Sequence, residues 1–169
     1  MTRILLLCGA LLFAACGDDR PVGDGNGAPT DAAPATVGPA DIVFAPELEV
    51  DLGAMTRLEN GVYILDISRG GGAPADSGTA VTIHYKAWLP DGTLFEERPS
   101  RDGFGASEFV LGENAPVPGL NSALEGMRSG GVRRVVVPPE LGYDLIGRPE
   151  GVPADATVVF EISLRRVAS

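Results

Sequence analysis

Residues 119–127 have the spacing of a short amphipathic helix, in a chain whose other apolar segments have the spacing of strands. Four apolar side chains recur at i, i+3, i+4 and i+7, which places them on one face of a helix of about two turns. They are Leu120, Ala123, Leu124 and Met127. Isolated helices need roughly 12 to 15 residues to be stable in water, so this helix is ordered only if its apolar face is buried. The fold must provide a surface that wraps around it.

The segments on either side of the helix predict that surface. Four strands are expected before the helix and two after it. They lie at residues 62–67, 80–89, 94–96, 107–111, 132–137 and 157–166. Most of the connections have hairpin length. This order predicts an α+β fold in which a curved, meander-like antiparallel sheet holds one short helix in its concave face.

The first sixteen residues have the layout of a signal peptide. Arg3 precedes an apolar run at residues 4–13, and two small residues stand before Cys16. The run is too short to span a bilayer, which takes about 20 residues. The sequence LFAAC resembles the lipobox of bacterial lipoproteins, in which the cysteine becomes the lipidated first residue of the mature chain. We predict a signal peptide at residues 1–15 and a lipid anchor on Cys16, with ordinary secretion as the alternative. The protein is then expected in the cell envelope, facing the periplasm or the exterior.

Composition divides the rest of the chain into a tether, an extension and a domain. Residues 16–40 are rich in Gly, Pro, Ala and Asp, with almost no large apolar side chain, which predicts a disordered tether. Residues 41–60 form an N-terminal extension whose apolar residues fit both a half-buried strand and a helical turn. Packing on the domain and pairing with a partner both stay open for it. The folded domain is expected over residues 61–169.

Charge and the scarcity of reactive side chains exclude several function classes. The net charge of −10 argues against nucleic acid or anionic lipid as a direct partner, because both select Lys and Arg patches. Once the leader is removed, the domain has no cysteine for a disulfide, a thiolate nucleophile or a metal site. The single histidine, His84, lies within a predicted strand, and no Gly-x-Ser-x-Gly motif occurs, so a Ser-His-acid hydrolase is not expected. Glycines 70–72 predict a turn rather than a phosphate loop. No metal or cofactor is predicted.

The remaining candidates are apolar and aromatic side chains that border the concave face of the predicted sheet. They are Tyr85, Phe95, Phe109, Val117, Leu120, Tyr143 and Phe160. Packing in the core is the competing interpretation, and for Phe109 it is the favoured one. A tyrosine in a loop rich in Gly and Pro, as Tyr143 is, is less obviously a packing residue.

Residues 61–167 resemble an FKBP-type peptidyl-prolyl cis-trans isomerase. The motifs that carry the resemblance are Val-x-Ile-His-Tyr at 81–85, Asp-Gly-x-x-Phe at 91–95, Val-Pro-Gly-Leu at 117–120, Pro-Pro-Glu-Leu-Gly-Tyr at 138–143, and the run from Val-Pro through Ala-Thr to Phe at 152–160. Each motif is weak by itself, but their order and spacing together are specific. The lipobox and tether resemble those of the membrane-anchored bacterial members of the family.

The resemblance implies a half-barrel sheet wrapped around the helix, with an apolar cleft for a proline ring. By position, the floor and walls of the cleft would be Tyr85, Phe95, Leu120 and Phe160. Further substrate contacts would come from Phe109 and from Val117, whose neighbouring backbone N–H would cap the cleft. Tyr143 would donate its hydroxyl to the peptide carbonyl, and Glu96 would stand where the family usually has Asp.

This chemistry requires no nucleophile, metal or cofactor. Rotation about an X-Pro bond must overcome about 18 to 20 kcal/mol of amide resonance, and it breaks no bond. A dry apolar site favours the twisted amide, and a fixed donor can bind that state preferentially. We therefore predict a prolyl isomerase that acts on proline-containing polypeptides during the folding of exported proteins.

Four departures from the family pattern favour modest activity. Leu120 stands where the family commonly has Trp, Ser107 where it has an aromatic residue, Leu141 where it has Tyr and Asp144 where it has Gly. Leu120 keeps the site apolar but removes a large flat platform for substrate or macrolides. The alternative function is a catalytically weak FKBP-like chaperone or protein-binding module of the cell envelope. The oligomeric state stays open.

Overall fold

The structure, a computed structural model, describes residues 38–98, 105–143, 147 and 149–168. The predicted signal peptide, Cys16 and nearly all of the predicted tether lie outside these residues. The described residues belong to one compact unit. Among them, no helix is both long and apolar enough to cross a membrane.

Within the described residues, seven strands form one antiparallel sheet. They are β1 Thr56–Arg57, β2 Tyr63–Ser68, β3 Ala80–Trp88, β4 Leu94–Arg98, β5 Ser107–Val110, β6 Val132–Val137 and β7 Val158–Val167. The order across the sheet is β1-β2-β6-β7-β3-β4, and β5 pairs with the first half of β3 on the same edge as β4. The six predicted strands are present as β2 to β7. The meander-like order was wrong, since β2 lies beside β6 and β7 beside β3. The alternation of apolar and polar side chains predicts which residues of a strand face the core, but it does not predict which strands are neighbours in the sheet.

Helix α1, Gly119–Leu124, lies against the concave face of the sheet. Leu120, Ala123 and Leu124 of the helix are fully buried. They share one core cluster with the inward residues of β3, β6 and β7, which are Val81, Ile83, Tyr85, Ala87, Val135, Val137, Val158, Phe160, Ile162 and Leu164. Burial in the sheet thus supplies the order that so short a helix lacks in water.

The helix is shorter than predicted because a turn and a buried arginine close its C-terminal end. Glu125 leaves helical geometry, and Gly126 has a φ of +72°, in the left-handed region that favours glycine. Nη1 of Arg133 donates to the carbonyl oxygen of Ala123 at 2.6 Å, which satisfies an acceptor at the helix end. Met127 lies beyond the helix but is only 3% exposed, so it still belongs to the core.

Gly119 allows the first turn of α1 to lie close to β6. A Cβ at this residue would be 2.6 Å from Cγ1 of Val137 and 3.2 Å from the carbonyl oxygen of Leu141. A larger residue would push the start of the helix, with Leu120, away from the sheet.

Residues 38–55, which we call the N-terminal clasp, pack across the convex face of the sheet. Leu48 and Met55 of the clasp are buried against Val136 of β6 and Val159 of β7. Of the two roles left open for residues 41–60, the described structure has the segment packed on the domain. It forms 3-10 turns and strand β1 instead of the longer strand or α-helical turn that its pattern allowed.

Polar contacts hold the clasp to the sheet in addition to the apolar ones. The backbone N–H of Ala45 donates to the carbonyl of Pro90, in the β3–β4 turn, at 2.7 Å. The guanidinium of Arg134 donates to the carbonyl oxygen of Glu49 at 3.2 Å and to Oε2 of Glu161 at 3.0 Å. Pro39, which composition assigned to the tether, is buried. The packed part of the chain therefore includes residues before Asp41.

We expect Leu48→Ala to lower the free energy of unfolding by about 2–4 kcal/mol, because the truncation leaves a cavity between clasp and sheet. Urea unfolding, followed by the fluorescence of the neighbouring Trp88, measures the change. Val43→Ala is the control within the same segment, since Val43 is 92% exposed, and its expected effect is within about 0.5 kcal/mol. Equal, small effects of both substitutions would contradict a stabilising role of the clasp.

Candidate active site

Four aromatic side chains from separate parts of the chain meet on the concave face. The rings of Tyr85 and Phe160 are 5.8 Å apart, edge to face. The rings of Phe95 and Tyr143 are 5.6 Å apart in the same arrangement. Tyr143 also stacks on Phe160, with centroids 6.4 Å apart and planes 29° from parallel. These separations and angles are those that aromatic pairs favour, so the four rings form one contiguous apolar wall.

The register of the sheet places this wall around a small residue. Ala87 of β3 lies opposite Glu96 of β4 on one side and opposite Phe160 of β7 on the other. Residues directly opposite in a sheet share a face, so Glu96 and Phe160 both point to the concave side. Because Ala87 has only a methyl group, it leaves room between them.

A β-bulge turns Phe95 toward the same site as its neighbour Glu96. Trp88 pairs with Leu94, whereas the preceding residue Ala87 pairs with Glu96, so Phe95 is an extra residue in β4. In a regular strand, consecutive side chains would point to opposite faces. A bulge removes this constraint locally, which explains how two adjacent residues contribute to one site.

A single carboxylate connects the two tyrosines. The hydroxyl of Tyr85 donates to Oε1 of Glu96 at 2.8 Å, and the hydroxyl of Tyr143 donates to Oε2 at 2.6 Å. Nη2 of Arg98 lies 3.2 Å from Oε1. Glu96 therefore accepts from both phenols while an arginine balances its charge. The side chain of Glu96 is 20% exposed, so the network is largely shielded from solvent.

Burial keeps both phenols in the neutral form. It raises the pKa of Tyr85 to about 12, and the hydrogen bond to Glu96 acts in the same direction. The pKa of Tyr143 is raised as well, first by burial and then by its hydrogen bond to Glu96. The hydrogen bond with Tyr85 raises the pKa of Arg98. Both phenols therefore stay protonated well above neutral pH, and both donate to Glu96.

The predicted substrate contacts differ in how close they lie to this network. Val117 and Leu120, at the start of the helix, are fully buried in the same core cluster as the aromatic rings. Phe109 of β5 pairs with Val81, four residues along β3 from Tyr85, a distance of about 13 Å. Phe109 therefore lies in the core but apart from the aromatic wall.

Arg98 was not predicted as a site residue, because the strand predicted at residues 94–96 ends two residues before it. Strand β4 continues through Arg98, which lies opposite Tyr85 and so shares a face with it. Extending the alternation of β4 two residues beyond Glu96 would have found it.

The arrangement suits non-covalent work on a polypeptide. It combines an aromatic wall with two neutral donors and a carboxylate, all on the face that holds the helix. Within the described parts of the chain, no group of three or more His, Cys, Asp or Glu side chains could hold a metal ion. Fold and site together define a half-barrel sheet with an aromatic-walled candidate site on its concave face.

Comparison with known proteins gives the family. A sequence profile described as FKBP-type peptidyl-prolyl cis-trans isomerase matches residues 71–165, more than half of the 169-residue chain. The FK506-binding protein of Neisseria meningitidis serogroup B is 35% identical over 107 residues, which cover 63% of this chain and 96% of that protein. FK506-binding protein 4 of Rhizopus delemar is 34% identical over 110 residues, 65% of this chain. The match spans only 28% of that longer relative.

Solved structures agree with this assignment. A peptidyl-prolyl cis-trans isomerase from Pseudomonas syringae pv. tomato has a TM-score of 0.58 and 28% identity, covering 69% of this chain and 82% of that one. FkpA from Escherichia coli has a TM-score of 0.58 and 30% identity, covering 68% of this chain and 51% of that one. The chain belongs to the family of FKBP-type peptidyl-prolyl cis-trans isomerases. The predicted family, fold class and enzyme class are confirmed.

We expect the free energy of unfolding to fall as the pH rises from about 10 to 12. The fold raises the pKa of Tyr85 from 10.0 to about 12 and so holds this phenol protonated. The stability that it contributes is fully present below pH 10 and is lost as the pH rises through 12. Urea unfolding at a series of pH values measures the fall. The Tyr85→Phe variant has no ionisable hydroxyl at this residue, so its free energy of unfolding should fall less over the same pH range. Equal falls in the variant and the wild type would contradict the raised pKa of Tyr85.

Proposed function

We propose that the chain accelerates cis-trans isomerisation of X-Pro bonds in exported polypeptides, without a covalent intermediate. The observation that carries this proposal is the aromatic wall of Tyr85, Phe95, Tyr143 and Phe160, with two neutral phenol donors beside it. These residues belong to the motifs by which the chain resembles its family. Proline-containing segments are the substrates that such a surface suits.

In the proposed mechanism, the apolar wall removes water from the reacting amide. The planar amide is the more polar state and gains more from hydration than the twisted one, so a dry site lowers the cost of rotation. Phe95, Phe160 and Leu120 would surround the proline ring. The hydroxyl of Tyr143 and the backbone N–H beside Val117 would hold the peptide, and donors that bind the rotated amide better than the planar one lower the barrier.

We expect the purified protein to accelerate a proline-limited refolding reaction, which takes tens to hundreds of seconds without a catalyst. Phe95→Ala should reduce the acceleration by about tenfold, because it removes one edge-to-face contact and much of the apolar wall. Ile67→Ala is a matched control, since Ile67 is 48% exposed on strand β2. Equal rates for both variants would contradict the site.

The same experiment separates the proposed enzyme from the alternative function. A folded protein that gives no acceleration, yet suppresses aggregation of an unfolded client, would be a chaperone or binding module. Leu120, which provides less contact surface than the usual Trp, motivates this alternative.

The proposed location is the cell envelope, with the domain held to a membrane through lipid on Cys16. The support for this is the apolar run at residues 4–13 followed by LFAAC. The Gly- and Pro-rich residues after Cys16 would give the domain reach from the lipid surface to its substrates.

Cys16→Ser should move the protein from the membrane fraction to the soluble fraction. Cell fractionation and metabolic labelling with a radioactive fatty acid measure the two consequences separately. Unchanged membrane retention of the variant, or label that persists on it, would exclude lipidation at this residue.

A further inference from the structure

Tyr143 does not have a free hydroxyl to offer to a substrate. A phenol carries one proton and can donate one hydrogen bond at full strength. In the structure that proton is directed to Oε2 of Glu96, at a donor–acceptor distance of 2.6 Å. The proposed function requires the same proton for the carbonyl of the X-Pro substrate. The two acceptors exclude each other.

Glu96 is a strong competitor because it is charged and held in place. Its backbone is paired in β4 opposite Ala87. Its Oε1 accepts a hydrogen bond from the hydroxyl of Tyr85 at 2.8 Å and lies 3.2 Å from Nη2 of Arg98. These two contacts fix the carboxylate on the side away from Tyr143. A hydrogen bond to a carboxylate is roughly twice as strong as one to a neutral carbonyl. Moving the hydrogen bond of the Tyr143 hydroxyl from Glu96 to the substrate carbonyl therefore costs free energy.

The length of the side chain at residue 96 permits this competition. Tyr85 lies on β3, whereas Tyr143 follows the 3-10 turn Pro139–Leu141, so one carboxylate must span two separate elements. Glutamate has one methylene more than aspartate, and this extends its reach by about 1.5 Å. An aspartate held by Tyr85 would lie correspondingly further from Tyr143.

We propose that Glu96 is a positioning residue that competes with the substrate for the hydroxyl of Tyr143, and that Arg98 assists its release. When Tyr143 turns to a substrate, Oε2 of Glu96 loses its only donor among the described residues while remaining half-buried. Arg98 is suited to replace it, since its side chain is 52% exposed and its guanidinium has five N–H groups. The inference rests on the proposed function and makes residue 96 a determinant of catalytic strength.

The test compares Glu96→Asp with the wild type in the isomerisation of a short peptide that has a single Leu-Pro bond. NMR exchange spectroscopy gives the rate, and we expect kcat/KM to rise about three- to tenfold, the difference between charged and neutral hydrogen bonds. In the Tyr143→Phe background, Glu96→Asp should have no effect, because no hydroxyl is left to release. A gain that persists without the hydroxyl would overturn the proposal, and so would no gain with it.

Glu97→Asp is the matched control. It makes the same chemical change one residue further along β4. There Oε1 of Glu97 lies 3.5 Å from Nζ of Lys86, and the Glu97 side chain is 42% exposed, so kcat/KM should not change. Arg98→Met should lower kcat/KM, because methionine has no N–H group that could replace the Tyr143 hydroxyl at Oε2. The proposal is also wrong if Glu97→Asp and Glu96→Asp raise the rate equally.

A measurement that does not depend on activity separates failure of this inference from failure of the proposed function. The hydroxyl proton of Tyr143 should give a slowly exchanging, downfield proton resonance in the wild type. Glu96→Asp should remove this resonance, while the backbone amide spectrum remains that of a folded protein. Absence of the resonance in the wild type overturns the competition by Glu96. Its presence in a protein that does not isomerise the peptide rejects the proposed function and leaves the tyrosine–glutamate contact intact.

Discussion

The burial of a six-residue helix in the concave face of the sheet is the constraint on which the rest of this structure depends. Helix α1 is too short to be stable by itself, so the sheet must curve around Leu120 and Leu124 to make it ordered. Each end of the helix is adapted to this packing. Gly119 allows the first turn to approach β6. At the other end, Arg133 caps the helix by donating to the carbonyl oxygen of Ala123. The start of the helix places Leu120 in the same core cluster as the aromatic wall, so the packing of the helix also builds the surroundings of the site.

The site itself depends on a local irregularity. Without the extra residue in β4, Phe95 and Glu96 would point to opposite faces of the sheet. Either the aromatic wall would then lose the ring of Phe95, or the two tyrosines would lose Glu96 as their acceptor. The small side chain of Ala87 completes the arrangement, because it leaves space between Glu96 and Phe160. Removal from water then strengthens the hydrogen bonds of the carboxylate and keeps the phenols neutral. The electrostatics of the site follow from a bulge and a methyl group.

The sheet is covered on both faces, which is more than the catalytic site requires. On β6 and β7, Val136 and Val159 point away from the helix, and the N-terminal clasp buries them. Strands buried on both faces have continuous apolar runs, and residues 135–137 and 158–160 are such runs. The clasp residues lie before the part of the chain that matches the family profile. They add a second apolar layer to a fold that its relatives share.

The sequence by itself determined the features that follow from local periodicity and from matching motifs. The short helix, the six main strands and the candidate site residues could be predicted from it. Those residues are Tyr85, Phe95, Glu96, Tyr143 and Phe160. Each depends on the spacing of residues close together in the chain. The strand order, the bulge at Phe95, the place of Arg98 and the partner of the Tyr143 hydroxyl could not be read in this way. These depend on which residues from distant segments come within hydrogen-bonding distance, and only the tertiary packing of sheet, helix and clasp decides that.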